Sequence, residues 1–182
     1  IIAEITQQAR KSADINQRSG VSVRASVANY EAILANALRR AIETSEQDIV
    51  PRVSDLPFIM PSLQGKIEFE AMEEGREEKI MERLFQDAVR SVFSRFSEGF
   101  DMEVLTLQFA DGLHVTTGES LASDEYESII KRIDGLTEVV EKLAPSGTAA
   151  TRASAIEFVL EGLHLNQLLN KDRVGNRTTY MG

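Results

Sequence analysis

Apolar residues recur at helical spacing over most of the chain, most clearly in the segment 75–96. Two rows of apolar side chains run side by side there: Ile80, Leu84, Ala88, Val92 and Phe96 in one, and Met81, Phe85, Val89 and Phe93 in the other. Rows with this spacing form one wide apolar face of a helix. The aromatic row could also be interpreted as a ligand-binding box, but two complete rows are typical of packing. Burial contributes about 1.5–3 kcal/mol for each large side chain, so this helix is predicted to anchor a second core.

A second long helix is predicted from about Val23 to Thr44. Gly20 favours a turn before it, and Ser22 belongs to the residue types that cap helix N-termini. Its apolar positions form one stripe: Val27, Tyr30, Leu34, Ala37, Leu38, Ala41 and Ile42. We therefore expect the helix to pack along this stripe.

Shorter helical patterns occur before, between and after these two helices. They cover residues 1–13, a segment that begins at Ser54, the segments 123–133 and 136–143, and a last long helix that begins at Thr148 or Thr151 and continues through Leu168. Residues 100–109 fit either a short helix or a strand. The chain is therefore predicted to be mainly helical.

Alternating polar and apolar residues predict only short strands. Residues 66–70 (KIEFE) alternate, and residues 113–117 (LHVTT), between Gly112 and Gly118, are the best candidate for a pairing partner. A two-stranded ribbon is marginal in stability unless helices cover it. The tail 170–182 is polar with two glycines, and it is predicted to be loose.

The charge of the chain is unevenly distributed. The net charge is −9, which argues against a general nucleic-acid binder because phosphate neutralisation needs clustered Lys and Arg. Residues 1–56 are neutral, with seven basic and seven acidic residues. Four of the basic residues lie close together in sequence: Arg10, Lys11, Arg18 and Arg24. This arrangement suits an edge that faces phosphates, although an asymmetry of this size also arises by chance.

Several features bear on the setting of the protein. The chain has no cysteine, so disulfides, thiolate metal sites and cysteine nucleophiles are excluded. It has no apolar run of membrane-spanning length and no secretory signal pattern, so we expect a cytoplasmic protein without a membrane partner. The first residue is Ile, and an apolar helical pattern begins at once without a cap. We therefore expect this chain to be a piece of a longer protein.

Arg24 is the residue with the clearest chemical meaning. It falls in the first turn of the helix that begins at Val23, where the positive end of the helix dipole makes a cation unfavourable. A bound anion would compensate, because free N–H groups, the dipole and the guanidinium would all contact the same negative charge. The alternative is an idle side chain that extends into water or pairs with Asp14 or Glu31.

A family resemblance favours the anion. The residues 17–42 (QRSGVSVRASVANYEAILANALRRAI), followed by 49–56 (IVPRVSDL), resemble the helical lid of AAA+ ATPases of the magnesium-chelatase I subunit and MoxR type. The family pattern G-x-S-x-R-A is matched by Gly20, Ser22, Arg24 and Ala25. The family segment V-T-P-x-D-V is resembled by Val50, Pro51, Val53 and Asp55, although an Arg interrupts the usual Thr-Pro order. The resemblance covers about the first third of the chain.

The resemblance implies a role for Arg24 as the sensor-2 arginine, which contacts ATP held by the preceding P-loop domain. It also implies a ring-shaped homo-oligomer that uses ATP and Mg²⁺ to remodel a partner or to insert a metal, often with a partner protein that carries an integrin-type domain. This chain contains neither a G-x-x-x-x-G-K-[ST] motif nor a strand that ends in paired acidic residues. We therefore expect the chain alone to be non-catalytic and to carry no cofactor of its own.

The expected fold is mainly α: a multi-helix bundle resembling a AAA+ lid, with a helical extension and room for one short two-stranded β-ribbon. The expected domains are a lid-like unit (1–64), a mostly helical extension (65–169) and the loose tail (170–182). The alternative function is a free-standing helical interaction module without a nucleotide role, in which residues 76–170 form the docking surface.

Two other patterns have simpler interpretations. Glu161 and His164 have the E-x-x-H spacing of di-iron bundles, but such a site needs the motif twice, and His114 lies in a predicted strand. We expect His164 to be a helix-surface or hydrogen-bonded residue. Arg39 and Arg40 could form an inter-subunit contact, but pairing with Glu43 or Glu46 is the preferred interpretation.

Overall fold

The computed structural model describes residues 1–16, 18, 21–63, 65–70 and 76–182. The chain is mainly α. The α-helices are α1 (Ile2–Ala9), α2 (Val23–Glu43), α3 (Met60–Leu63), α4 (Arg76–Phe96), α5 (Met102–Ala110), α6 (Glu127–Ile130), α7 (Leu136–Leu143) and α8 (Ala149–Leu165). Two 3-10 helices span Val53–Ile59 and Ser123–Tyr126, and the strands are β1 (Val115–Gly118), β2 (Asn170–Val174) and β3 (Arg177–Met181). Within the described residues, no helix combines the length and the apolar character needed to cross a membrane.

Two clusters of buried side chains form the core. The N-terminal cluster consists of Ile5, Ala9, Ile15, Val21, Ala25, Ile33, Leu56, Ile59, Leu63, Ile67, Ile80, Met81, Leu84, Phe85, Ala88, Val89 and Leu165. The C-terminal cluster consists of Phe93, Leu105, Phe109, Val115, Tyr126, Ile129, Ile133, Leu136, Val139, Val140, Ala153, Ala155, Ile156, Val159, Leu160, Leu163, Leu169 and Tyr180. Helix α8 is buried on nearly all sides, and its buried residues include the two carboxylates Glu157 and Glu161.

Helix α4 joins the two clusters. Both predicted rows are largely buried. The apolar residues between positions 80 and 89 belong to the N-terminal cluster, whereas Phe93 belongs to the C-terminal cluster. Phe96, at the end of the helix, is exposed. The predicted boundary at 64/65 therefore falls inside the N-terminal cluster, which continues across it from Leu63 to Ile67 and α4. Helix α4 completes a core begun by α1 and α2 instead of starting a separate one.

The apolar stripe predicted for α2 is only partly buried. The buried face consists of Ala25, Asn29, Ile33, Asn36, Ala37, Arg40 and Ala41. The larger apolar residues Val27, Tyr30, Leu38 and Ile42 are exposed, with Ile42 at 71%. The 3-10 helix Val53–Ile59 and α3 pack against the inner face, so small and polar side chains occupy it. The prediction of helix α2 was therefore correct, but the face that packs against the core was only partly predicted.

The sheet has three antiparallel strands in the order β1-β3-β2. Val115 pairs with Tyr180 and Thr117 with Thr178, while β2 and β3 form a hairpin in which Lys171 pairs with Tyr180. The tail is therefore ordered, and the prediction that 170–182 is loose was wrong. The predicted ribbon also had the wrong partner. Residues 66–70 contribute only an isolated bridge between Phe69 and Ile15, with flanking backbone hydrogen bonds.

Candidate functional site

Arg24 lies in the first turn of α2, as predicted. The Ser22 hydroxyl caps the helix by accepting a hydrogen bond from the Arg24 backbone N–H at 3.1 Å. The Arg24 residue is exposed, and its guanidinium has no hydrogen bond or ion pair with any residue that the structure describes. The first turn of α2 contains no acidic residue. No described residue therefore compensates this cation at the positive end of a 21-residue helix.

The surroundings of Arg24 are basic. The Arg10 guanidinium donates twice to the Val21 carbonyl oxygen, at 3.3 Å from both nitrogens, which places a second cation beside the start of α2. Asp14, considered above as a partner of Arg24, forms ion pairs with Arg83 and Arg76 instead. Gly20, the first residue of the family pattern, lies outside the described residues. The arrangement is open to a negatively charged group.

The second segment of the resemblance is buried against α2. Asp55 is fully buried, and its carboxylate accepts hydrogen bonds from Asn36 Nδ2 and from the Arg52 backbone N–H, both at 2.7 Å. Arg40 forms an ion pair with the same carboxylate at 3.2 Å and donates to the Val50 carbonyl oxygen at 2.5 Å. Burial raises the pKa of Asp55 and lowers that of Arg40. This pair fixes the segment after α2 onto the inner face of the helix.

The Arg52 guanidinium joins the two halves of the molecule. It is almost completely buried, donates to the Leu121 carbonyl oxygen at 2.8 Å and to Ser123 Oγ at 2.7 Å, and lies over the Tyr126 ring at 4.8 Å. Glu46 pairs with Arg52 at 3.3 Å and accepts hydrogen bonds from the Ser123 N–H and hydroxyl. Burial would raise the pKa of Glu46, but the Ser123 hydrogen bonds and the Arg52 charge outweigh it and lower that pKa.

Glu157 is a second buried carboxylate at this junction. It accepts hydrogen bonds from the Tyr126 hydroxyl and from the Ser54 backbone N–H, the latter at 2.9 Å. Burial and the neighbouring Glu157 charge raise the pKa of Tyr126, so its hydroxyl stays protonated and donates. The Ser154 hydroxyl donates to the Pro51 carbonyl oxygen at 2.7 Å. Residues 51–54 are therefore held by side chains from α8 and from the segment that precedes α6.

The remaining candidate residues have structural partners. Arg39 forms the expected pair with Glu43, in which the Nη1 group donates to both carboxylate oxygens at 2.9 Å, and it also contacts Glu119. The preferred pairing for Arg40 was wrong, because Asp55 takes the place of Glu46. His164 Nδ1 lies 2.9 Å from the Leu169 carbonyl oxygen, as expected of a hydrogen-bonded histidine. Within the described ranges, no group of three or more His, Asp or Glu side chains is arranged to hold a metal ion.

Sequence reasoning missed the buried polar network. Its members lie far apart in the chain, as with Ser54 and Glu157, and no local pattern connects them. One signal was present in α2, where Asn36 and Arg40 lie on the same face as Ala37 and Ala41. Polar residues on the small-residue face of a helix indicate buried partners. Comparison with protein families, with curated proteins and with solved structures finds no match to this chain.

Proposed function

We propose that this chain is the C-terminal part of a cytoplasmic AAA+ ATPase of the magnesium-chelatase I subunit or MoxR type. Arg24 is the sensor-2 arginine in this proposal, and it contacts the phosphates of ATP bound with Mg²⁺ to a P-loop domain elsewhere in the protein. The intact protein forms a homo-oligomeric ring that remodels a partner or inserts a metal, together with a protein that carries an integrin-type domain. The observation that carries the proposal is the exposed Arg24 guanidinium, unpaired among the described residues, at the start of α2.

The chemistry at this position supports nucleotide sensing. A guanidinium forms strong charge-assisted hydrogen bonds with phosphate oxygens, and the helix dipole adds to the attraction. Loss of the γ-phosphate removes that contact, so the position of α2 would depend on the state of the nucleotide. The buried Arg40–Asp55 pair and the Arg52 network hold α2 to the segment that follows it, so a displacement of α2 would carry this segment with it.

Replacement of Arg24 by Ala in the intact protein tests the proposal. We expect ATP turnover to fall at least about tenfold, because a charge-assisted contact contributes about 1.5–3 kcal/mol. The free energy of unfolding should change by less than about 0.5 kcal/mol, since the side chain is exposed. Lys131→Ala, which removes an exposed cation in the C-terminal half, is the control and should retain turnover. Undiminished turnover in Arg24→Ala would end the proposal.

A free-standing helical interaction module is the second candidate. The exposed apolar residues of α2, among them Val23, Val27 and Ile42, favour it because such side chains are suited to contact with another protein surface. The same residues would also suit contact with a P-loop domain. The upstream coding sequence separates the two candidates: a G-x-x-x-x-G-K-[ST] motif in the same open reading frame supports the ATPase, and an initiator codon directly before Ile1 supports the module.

A further inference from the structure

The Arg10 guanidinium connects the end of α1 to the start of α2. Its Nε and Nη2 groups both donate to the Val21 carbonyl oxygen, at 3.3 Å. Val21 is buried and lies one residue before Ser22, the N-cap of α2. Buried carbonyl groups are nearly always hydrogen-bonded, and among the described residues Arg10 supplies the donors here. The contact therefore fixes the backbone at the entrance to α2.

The α1 end of this connection is itself anchored. Ile5 and Ala9 of α1 belong to the N-terminal cluster and are almost completely buried. Glu4, in the first turn of α1, accepts a hydrogen bond from Arg95 of α4 at 2.9 Å. Arg10 therefore extends from a helix that the core and α4 hold in place.

The α2 end of the connection leads directly to Arg24. The Ser22 hydroxyl accepts from the Arg24 backbone N–H, and the Ser22 carbonyl oxygen accepts from the Ala25 N–H at 2.9 Å. The backbone at Val21 and Ser22 therefore sets the point at which the first turn of α2 begins, and with it the point from which the Arg24 side chain extends. A side chain is pre-organised when its neighbours fix the backbone that carries it.

We propose that Arg10 is a positioning residue for Arg24. It holds the entrance of α2 so that the Arg24 guanidinium is presented to a phosphate group in one orientation. This inference rests on the proposed function, because Arg10 acts through the sensor arginine. Two donor groups of Arg10 are committed to the Val21 carbonyl oxygen, so its role is to support Arg24 and not to bind the nucleotide.

Amide hydrogen exchange of the 182-residue chain tests the structural half of the proposal. We expect Arg10→Gln to raise the exchange rate of the Ala25 N–H, which is bonded to Ser22, about fivefold, the effect of one lost hydrogen bond. The Leu160 N–H, in the buried α8, should exchange at the parent rate and so report an intact fold. Lys11→Gln removes the adjacent exposed cation and should change neither rate. Unchanged exchange at Ala25 in Arg10→Gln would overturn the proposal.

ATP turnover of the intact protein tests the functional half by a double-mutant cycle. Arg10→Gln should lower turnover about fivefold in the parent and have no further effect in the Arg24→Ala background, because Arg10 acts through Arg24. Equal losses in both backgrounds would indicate a general structural role or a direct nucleotide contact, and would overturn the proposal.

The same measurements separate this inference from the proposed function. Full turnover in Arg10→Gln together with a loss in Arg24→Ala would overturn the role of Arg10 and leave the sensor arginine in place. Full turnover in Arg24→Ala would remove the proposed function, and the positioning role of Arg10 with it.

Discussion

The buried ion pair of Arg40 and Asp55 is stable only because neighbouring groups compensate both charges. Burial opposes the ionised form of both groups, as the directions of their pKa shifts indicate. The groups that contact the Asp55 carboxylate are all N–H donors, from Arg40, Asn36 and the Arg52 backbone. Since each of these needs an acceptor, the geometry fits an ionised carboxylate. The pair therefore depends on both partners being present.

Removal of one partner should be costly. We expect Asp55→Asn to lower the free energy of unfolding by about 3–5 kcal/mol, because the Arg40 charge would remain buried without compensation. Chemical denaturation of the variant and the parent chain measures the difference. Arg39→Gln is the matched control, since Arg39 is the adjacent residue but forms partly exposed pairs, and it should cost less than about 1 kcal/mol. Similar losses in the two variants would contradict this account of the network.

At the scale of single residues, local chemistry could be predicted and distant partners could not. The position of Arg24 in the first turn of α2 could be predicted from Ser22, because the Ser22 side chain caps the helix by accepting a hydrogen bond from the nearby Arg24 backbone N–H. Apart from Glu46, the partners of the Arg52 guanidinium lie about 70 residues further along, and nothing in the local sequence marks them.

Close packing decides what α8 can tolerate. A Cβ atom at Gly162 would lie well inside contact distance of the Phe93 ring, so α8 and α4 approach each other at this glycine. The ring of Phe93 also meets that of Phe158 edge to face, with centroids 5.7 Å apart, which restricts its movement. The close contact between α8 and α4 therefore requires a residue without a side chain at position 162.

Gly162→Ala should destabilise the chain although Ala favours a helix by about 1 kcal/mol over Gly. Overpacking costs about 1–3 kcal/mol, and the rigid ring cannot yield easily, so we expect a net loss in the free energy of unfolding. A double-mutant cycle with Phe93→Leu is the control, because a smaller side chain should relieve most of the clash. A Gly162→Ala chain as stable as the parent would show that the two helices can separate at little cost.

Helices were easier to predict than strands, for a physical reason. The 3.6-residue period of α4 is a local property, and its two rows are largely buried as expected. The buried face of α2 was harder to predict. Its inner face carries small and polar side chains, so several of its large apolar side chains lie on the exposed side. Strand β3 is short and polar, and it pairs with β2 in a hairpin and with β1, which lies about sixty positions earlier in the chain. The polar residues 170–182 were therefore predicted to be a loose tail, although they contain two strands.

At the scale of the molecule, the two clusters are interdependent. Helix α4 belongs to both, and Leu165 of α8 reaches the N-terminal cluster. Arg52 and Glu157 add buried polar contacts between the halves. We therefore expect residues 1–64 alone to lack stable tertiary structure, since Met81, Leu84 and Phe85 would no longer cover α1 and the 3-10 helix.

Amide NMR spectra of a 1–64 fragment and of the full chain test this expectation. The fragment should show poorly dispersed signals and little protection from hydrogen exchange, in contrast to the full chain. A fragment consisting of residues 1–96 is the control, because it restores α4 and should recover part of the dispersion. Well-dispersed amide signals with strong protection from hydrogen exchange in the 1–64 fragment would show that it folds independently, with a domain boundary at residue 64.

The order of strands in the sheet has a consequence for biosynthesis. The middle strand, β3, is the last of the three to leave the ribosome, and neither β1 nor β2 pairs with the other. Nascent β1 must therefore wait for about sixty more residues before its hydrogen-bonding edge is covered, and premature termination anywhere before residue 177 leaves both outer strands single. During that interval we expect the β1 edge to present unpaired N–H and C=O groups, the kind of edge that pairs readily with another chain.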